Sequence, residues 1–470
     1  MEKLLSESIR KDMKNGLRHY HLIGIGGIGM SGIAQLLLRQ GVKVSGSDLK
    51  ENKITEELKN LGADIFVGHN CSNIKGADLV VFSSAISEDN PEIKQARAQG
   101  IPLVKRAEAL AGLMKDETVI TVSGSHGKTT TSSLVSCLLL EAGFSPTVAV
   151  GGVLRNIDTN AHLGDGKFFV AEADESDGSF LCYRPRYSII TNIDYEHLDY
   201  YKDFKNEIAA FGKFINNTQA NGCVFACSDD INLKGLFKNY KNKYLFFGLE
   251  AGADIYPKNI RFDNLSSEFD CFHRDKFIGK FYLALGGRHN ISNALPVIAL
   301  GLELGIELKI IKEALSNYKG AKRRLEIKFK NKDYLFIDDY AHHPTEIKAS
   351  LAALKNLNPG RLMVLFQPHR YTRTKLLFEE FSQSFDLADY IIITDIYSAG
   401  EPPLEGVSSK LIYDKIKARL PDKQIYLVPK EEIAAHILKI IRPQDVVVTM
   451  GAGDIVRIGD ELVEKFKGKS

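Results

Sequence analysis

The run Ser123-Gly124-Ser125-His126-Gly127-Lys128-Thr129-Thr130-Thr131 follows the apolar segment TVITVSGS and precedes a stretch with helical apolar spacing. A glycine-bearing turn with lysine and threonine at a helix start can cradle phosphate only if a strand delivers the chain and a helix carries it away. This stretch therefore commits its region to a strand–loop–helix unit of an α/β sheet. The strict phosphate-loop spacing would need glycine where Val122 stands, so the loop is shorter at its front. It still supplies the needed groups: the backbone of Gly124, Ser125, His126, Gly127 and Thr130, the Lys128 ammonium for the β- and γ-phosphates, and the Thr129 hydroxyl for Mg2+. The expected ligand is ATP; a structural turn with an incidental lysine would leave the flanking strand and helix unexplained.

A second loop of the same kind stands earlier. Gly24-Ile25-Gly26-Gly27-Ile28-Gly29 links the strand HYHLIGI to the helix pattern MSGIAQLLLRQ, and the strand VKVSGSD then ends at Asp48, near the usual ribose position. Glycines there allow a tight turn and let backbone amides approach a diphosphate. The pattern fits any nucleotide diphosphate, a nicotinamide or flavin dinucleotide included.

At 470 residues the chain is too long for one ordinary core, and strand–helix alternation restarts twice. ADIFVG and ADLVVFSSAI continue the first block to Lys105. TVITVSGS opens a second with KFFVAEAD, YSIITNI, GCVFACS and KYLFFG, and between Asp254 and Leu285 alternating segments suit an appended antiparallel sheet. After GAKRRLE a third block carries DYLFIDD, RLMVLF, DYIIITDI, KQIYLV and DVVVTM. A net charge of +2 gives no broad basic field for nucleic acid or a membrane surface, and no apolar run reaches the roughly 18 residues of a membrane span. The amino-terminal MEKLLSESIRKDMKNGLRHY mixes charge signs and shows no targeting segment, which leads to an expectation of the cytoplasm. The closest two of the six cysteines, Cys223 and Cys227, lack partners at zinc-site spacing and read as buried thiols.

Other clusters stand at strand ends. Glu172-Ala173-Asp174-Glu175-Ser176-Asp177 offers carboxylates suited to Mg2+, with Glu172 preferred over Asp174, or is an exposed acidic loop. Asn192-Ile193-Asp194-Tyr195-Glu196-His197 would point into the same crevice. Asn290 and Asn293 share one helix face and either cap it or touch a nucleotide; Lys322-Arg323-Arg324 is a solvated cluster or a phosphate clamp. In the third block, Asp338-Asp339-Tyr340-Ala341-His342-His343 and Gln367-Pro368-His369-Arg370-Tyr371-Thr372-Arg373 each join a strand to a helix. Arg370 and Arg373, three apart, can clasp a carboxylate, while the paired histidines lack a third ligand at regular spacing.

Taken in order, GIGGIGMSG, GSHGKTTT, EADESDGSF, TNIDYEHLDYY, GRHNISNA, GAKRRLE, DDYAHHPTEI and QPHRYTRT resemble the Mur ligase family over nearly the whole chain. The resemblance implies a three-domain α/β amide ligase. A Rossmann-like UDP-binding domain would span 1–105, a central phosphate-loop ATPase domain with a parallel and a small antiparallel sheet 106–321, and a Rossmann-like amino-acid-binding domain 322–470. It implies that Gly24, Gly26, Gly27 and Gly29, with Asp48, His69 and Ser84, hold the UDP-sugar, which removes the nicotinamide dinucleotide. By similarity Lys128 and Thr129 serve ATP and magnesium, Glu172 and His197 serve magnesium, and Asn290, Asn293 and Arg324 contact the nucleotide. Asp339 matches a functional aspartate; Arg370 and Arg373, with His342 or His343, orient the amino acid and the muramyl carboxylate.

The implied reaction joins L-alanine to UDP-N-acetylmuramate through an acyl phosphate, with ATP and Mg2+, in peptidoglycan synthesis. It implies no nucleic acid, membrane or obligatory protein partner, and a hinge near residues 316 to 325. The GIGGIGMSG loop looks more like the alanine-adding members than like the recycling ligase that attaches a tripeptide. A nicotinamide oxidoreductase would leave Gly127-Lys128-Thr129 unused, and a nonenzymatic ATP switch would need no cosubstrates. The base for the alanine ammonium is unidentified.

Overall fold

The computed structural model describes residues 19–467; residues 1–18, which carry the expectation of an untargeted amino terminus, and 468–470 lie outside the described residues. The fold is α/β, built on three sheets. The first holds β1 (His19–Ile23), β2 (Lys43–Asp48), β3 (Asp64–Val67), β4 (Leu79–Phe82) and β5 (Leu103–Lys105) in the order β3-β2-β1-β4-β5, all parallel. Strand order reverses at β1, so the loop leaving it toward helix α1 (Ile28–Arg39) opens into the crevice where such sheets bind ligands.

The second sheet has ten strands: β6 (Thr118–Ser123), β7 (Thr147–Leu154), β8 (Thr159–His162), β9 (Phe168–Glu172), β10 (Tyr187–Ile190), β11 (Cys223–Cys227), β12 (Tyr244–Phe247), β13 (Ile255–Asp263), β14 (Ser266–His273) and β15 (Lys276–Leu283). Their order is β15-β14-β13-β12-β11-β10-β6-β9-β7-β8. β6 lies between β9 and β10 and runs parallel to both, so the carboxyl ends of all three converge on the phosphate loop. β7 and β8 were not read from the sequence. TVAVGGVL carries two glycines and TNAH is short and polar, so neither shows strand periodicity, yet β8 pairs antiparallel with β7 at the sheet edge. The appended hairpins are as expected: β13, β14 and β15 are neighbours joined by two-residue turns, which only antiparallel strands allow. Asn264, Arg274 and Asp275 take the positive φ that such turns demand.

The third sheet runs β16 (Glu326–Lys330), β17 (Tyr334–Asp339), β21 (Asp445–Met450), β18 (Arg361–Phe366), β19 (Tyr390–Ile393), β20 (Gln424–Leu427). Its middle strands are continuous apolar runs because both faces are covered: Val364, Phe366, Ile391, Ile393 and Val448 enter one core and Met363, Leu365, Tyr390, Ile392 and Val447 the other. β16, antiparallel to β17, is an edge strand that the sequence left unread; EIKFK alternates charge and apolar residues over only five positions.

The chain divides into two compact units, Met1–Pro257 with Cys271–Gly279 and Ser292–Lys319, and Lys258–Asp270 with Lys280–Ile291 and Gly320–Ser470. Among the described residues no helix is long and apolar enough to cross a membrane. All six cysteines are free thiols, and burial pushes the Cys137 and Cys223 thiols up to about 12. Cys137, Cys223, Cys227 and Cys271 are buried, as the sequence suggested for Cys223 and Cys227, whereas Cys71 and Cys182 are exposed.

Candidate active site

In the first glycine loop the chain leaves β1 through Gly24, whose φ of +77° an ordinary side chain would resist. Gly24 and Ile25 donate their N–H groups to Ser47 O, and Gly26 N donates to Asp48 Oδ2 at 2.9 Å. Asp48 is thus turned onto the loop itself and also accepts from Leu49 N. α1 begins after Gly27 with no side-chain cap, so its first amides remain available to an anion. A Cβ on Gly29 would come within 2.8 Å of Arg106 Nη1, so that guanidinium lies against the loop. Arg106, which sequence reasoning missed, also reaches Asp174 Oδ2 at 3.4 Å. His69 meets Ser47 Oγ through Nδ1 at 3.0 Å, and Ser84 is exposed in the turn after β4.

The phosphate loop is braced by the segment after β10. His126 N donates to Asn192 Oδ1 at 2.8 Å, and Thr191 Oγ1 donates to His126 O at 2.6 Å. Asp194 N donates to Ser125 Oγ at 2.8 Å, and His126 Nε2 lies 2.8 Å from Asp194 Oδ2. Gly127, at φ +84°, begins helix α2 (Lys128–Glu141), and a Cβ there would meet Asn293 Oδ1 at 2.3 Å. Asn293 therefore sits against the loop; Asn290, also buried, donates to Gly286 O at 2.8 Å. Thr129 and Thr130 lie buried in the first turn of α2.

Lys128 Nζ donates to Gly124 O at 2.6 Å, to Ser125 O at 3.2 Å and to Glu175 Oε1 at 2.7 Å. Burial alone would depress the Lys128 ammonium, but Glu175 and Asp174 outweigh it and raise its pKa, so it stays charged. Burial also works against Asp174, which Lys128 and Arg106 nonetheless hold down to about 2. Glu175 is fully buried, and its Oε2 has no hydrogen-bond partner. His197, held at φ +55°, places Nε2 3.6 Å from Glu175 Oε1 and 3.6 Å from Glu196 Oε2. Burial opposes its charging, yet Glu175 and Glu196 win and raise its pKa.

Glu172, the favoured carboxylate, accepts from Gly151 N at 2.8 Å and Ser132 Oγ at 3.1 Å, beside the methyl of Thr129 that borders Gly152. The carboxylate that meets the lysine is Glu175. Its position in a loop beyond β9 has no periodicity, and only its place within the acidic run could have drawn attention to it. The orphaned Glu175 oxygen and the Glu196 carboxylate are oxygen donors of the kind a hard divalent cation takes, so the residues present fit Mg2+, which His197 would join only as the neutral imidazole.

The second unit assembles the remaining candidates. Arg323 is an anchor, donating to Asp338 Oδ2 at 3.0 Å and Gly451 O at 2.6 Å. Arg324 lies 3.5 Å from Glu346 Oε1, and both guanidiniums lie over the Tyr340 ring. Asp339 is buried and accepts from Ala341 N, Leu325 N and Ser350 Oγ, tying β17 to helix α3 (Pro344–Lys355). Burial raises its pKa to about 6 even though Arg324 pulls the other way. His343 is the buried cap of α3, accepting from Thr345 N at 3.4 Å. His342 is more open, with Nδ1 3.0 Å from Tyr340 O and 3.2 Å from Glu346 Oε2.

The His342 ring lies edge-on to His369, 5.7 Å away. His369, another residue the sequence left unassigned, stacks on Tyr397 and accepts from Arg373 Nη1 at 3.3 Å. Burial, with His342 and Arg373 nearby, pushes its pKa down to about 3, so it stays neutral. Arg370, at φ +69°, precedes helix α4 (Tyr371–Ser382) and lies 4.0 Å from Glu401 Oε1. The arginine pair and two imidazoles thus share one edge of the third sheet.

Family matches follow this layout. Residues 19–118 match the Mur ligase family catalytic domain, 122–301 the Mur ligase middle domain and 323–453 the Mur ligase glutamate ligase domain. The chain belongs to the Mur ligase family. UDP-N-acetylmuramate--L-alanine ligase from Geotalea uraniireducens is 44% identical over 456 residues, covering 97% of this chain and 100% of that protein. The enzyme of the same name from Desulfotalea psychrophila is 47% identical over 448 residues, covering 95% and 98%. The crystal structure of UDP-N-acetylmuramate-alanine ligase from Thermotoga maritima superposes with a TM-score of 0.84 at 31% identity, covering 96% of this chain and all of that one (100%). In this Mur ligase the middle-domain match contains the phosphate loop and both acidic segments, and the third match contains Arg324, Asp339 and the arginine pair.

Proposed function

We propose that this Mur ligase joins L-alanine to the carboxylate of UDP-N-acetylmuramate, converting ATP to ADP and phosphate in peptidoglycan synthesis. The observation that carries this reading is Lys128: a half-buried, charged ammonium held at the mouth of a strand–loop–helix turn by two loop carbonyls and one carboxylate. Full-length relatives named for that reaction support the choice of substrates. The proposed domains are 1–105 for the UDP-sugar, 106–321 for ATP and 322–470 for the amino acid, close to the family matches. The first match runs on to 118, across the helix Arg106–Leu113.

The muramyl carboxylate oxygen attacks the ATP γ-phosphorus, ADP leaves, and the alanine amine then displaces phosphate from the acyl phosphate. Phosphoryl transfer asks the protein for position and charge neutralisation more than for covalent help. Lys128 supplies the charge by exchanging Glu175 and the two carbonyls for phosphate oxygens, and Arg324 adds a second cation. Asn290 and Asn293 contact the nucleotide. Thr129, Glu172 and His197 would hold Mg2+, with Glu175 as the additional carboxylate; the ion would supply neutralisation of phosphate charge. The turn of Gly24, Gly26, Gly27 and Gly29 receives the UDP diphosphate at the uncapped first amides of α1, with Asp48, His69 and Ser84 around the nucleoside. Arg370 and Arg373 clasp the alanine carboxylate, His369 orients Arg373, and the half-buried His342 is better suited than the buried, capping His343 to meet substrate. All the substrates are cytosolic in character, and the cytoplasm is the proposed location.

The test is ADP formation with UDP-N-acetylmuramate, ATP and Mg2+, with and without L-alanine, together with the product mass. Turnover that needs both substrates and yields a product heavier by one alanyl residue is expected. Turnover with a tripeptide but not with alanine would move the chain to the recycling branch of the family.

A further inference from the structure

Beneath the first glycine loop runs a chain of buried polar groups that the proposed reaction does not use. β1 and β2 pair His21 with Ser45 and Ile23 with Ser47, so the alternate residues Ser45 and Ser47 share one face of the sheet. Glu92, near the start of the helix Pro91–Gln99, reaches this face and is fully buried. Its Oε1 accepts from Asn73 Nδ2 at 2.6 Å and Asn70 N at 3.3 Å. Its Oε2 accepts from Ser47 Oγ at 2.6 Å and lies 3.5 Å from both His21 Nε2 and His69 Nδ1. Burial would raise the Glu92 pKa, but His21, Ser47 and Asn73 outweigh it and leave it below the usual carboxylate range. The helix N-terminus favours the same charge.

Hydrogen-bond direction then fixes a proton. A carboxylate only accepts, so the Ser47 hydroxyl hydrogen is committed to Glu92. The Ser47 oxygen can therefore only accept from His69, whose Nδ1 is 3.0 Å away, and His69 must carry hydrogen on Nδ1. In the neutral ring Nε2 is then the lone-pair acceptor, with no partner among the described residues. The donors on a UDP moiety are the uracil N3–H and the ribose hydroxyls, because its diphosphate only accepts.

We propose that Glu92, acting through Ser47, is a positioning residue that holds His69 in the tautomer whose Nε2 accepts a hydrogen bond from the uridine of the UDP-sugar. This rests on the first glycine loop being the UDP site. In Glu92→Gln, the Asn73 and Asn70 N–H groups keep the amide oxygen at the Oε1 position and turn the NH2 group onto Ser47. The hydroxyl then accepts from glutamine and donates to His69, moving the hydrogen to Nε2.

The experiment measures UDP binding by calorimetry and the His69 ring tautomer by 15N NMR in the full chain and in Glu92→Gln, Ser47→Ala and His69→Ala. Glu92→Gln is expected to switch the tautomer and weaken UDP about tenfold, the worth of one hydrogen bond, with ATP affinity and melting temperature held. Ser47→Ala, which removes the relay atom, is expected to give mixed tautomers and a smaller loss; it serves if Glu92→Gln does not fold. If His69→Ala binds UDP normally, the UDP-site reading falls. If His69→Ala weakens UDP while Glu92→Gln changes neither tautomer nor affinity, the Glu92 inference alone is overturned. CDP, which lacks the N3–H, and 2′,3′-dideoxy-UDP identify the donor. Whichever analogue becomes insensitive to His69→Ala names it, and equal sensitivity of both would contradict the acceptor role.

Discussion

The two glycine loops have the same local plan and opposite chemistry. Each leaves a central parallel strand, turns at a positive-φ glycine and enters a helix with an uncapped N-terminus. The first loop carries no lysine; Asp48 accepts from its Gly26 amide, and the buried carboxylate below it, Glu92, is fully partnered. The second loop is built around a charge, with Lys128 pinned to Glu175 and that carboxylate left with one oxygen unpaired. A fixed network in which every donor and acceptor keeps its partner suits recognition of a group that does not change. A lysine that must trade its partners suits a phosphoryl group whose charge moves during reaction.

Lys128→Ala should be the largest effect that separates them. Turnover is expected to fall by roughly a thousandfold or more, with binding of UDP-N-acetylmuramate unchanged in calorimetry. Equal losses at both sites would break the comparison.

Glycine replacements sharpen it. At Gly124, φ is +126° and a Cβ would lie 2.2 Å from Thr191 Oγ1 and within 2.9 Å of Asn192 backbone, so Gly124→Ala should cost about a hundredfold in kcat/KM for ATP. At Gly26 the nearest atoms to a Cβ would be the side-chain ends of Asp48 and Asn52 and the methyl of Thr55, which can give way. Gly26→Ala should raise KM for the UDP-sugar about tenfold and leave ATP alone.

Arg373→Ala, at neither loop, is expected to raise the alanine KM by about tenfold to a hundredfold, the worth of one charge-assisted pair, without changing either nucleotide affinity. Initial-rate kinetics with each substrate varied would show a loss spread over all three if the arginine were only structural.

A last comparison, read in stability rather than turnover, is between two buried glutamates. Unlike Glu92, Glu207 on the helix Phe204–Asn216 is fully buried with neither carboxylate oxygen hydrogen-bonded, and burial raises its pKa to about 8. Its folded pKa stands above the unfolded value, so stability is retained at pH below the unfolded value and lost as pH rises toward 8. Glu207→Leu should therefore stabilise the protein at pH 8 by on the order of 2–4 kcal/mol and by much less at pH 5. Denaturant midpoints at the two pH values measure this, and a pH-independent difference would contradict it.

The sequence made the core strands legible because buried parallel strands are continuous apolar runs, as RLMVLF and YIII show. It hid β7, β8 and β16, whose glycines, polar residues or short alternation carry no strand signal by themselves. The candidate site was legible where backbone shape demands a residue type: Gly124, Gly127 and Lys128 follow from what a phosphate loop must be. It was not legible where a side chain returns from a loop across space. Glu175 meets Lys128 from 47 residues away and Arg106 meets Asp174 from 68 away, and neither spacing is periodic. His369 carries no legible role within its motif, since only the fold brings Arg373 round to donate to it.

The central claim is that this Mur ligase activates the muramyl carboxylate as an acyl phosphate at the Lys128 loop. UDP-N-acetylmuramate labelled with 18O in that carboxylate, turned over with ATP, Mg2+ and L-alanine, tests it most directly by mass analysis of the released phosphate. One 18O atom in each phosphate, with the alanyl product formed in equal amount, is the predicted result. Unlabelled phosphate alongside alanyl product would contradict the account.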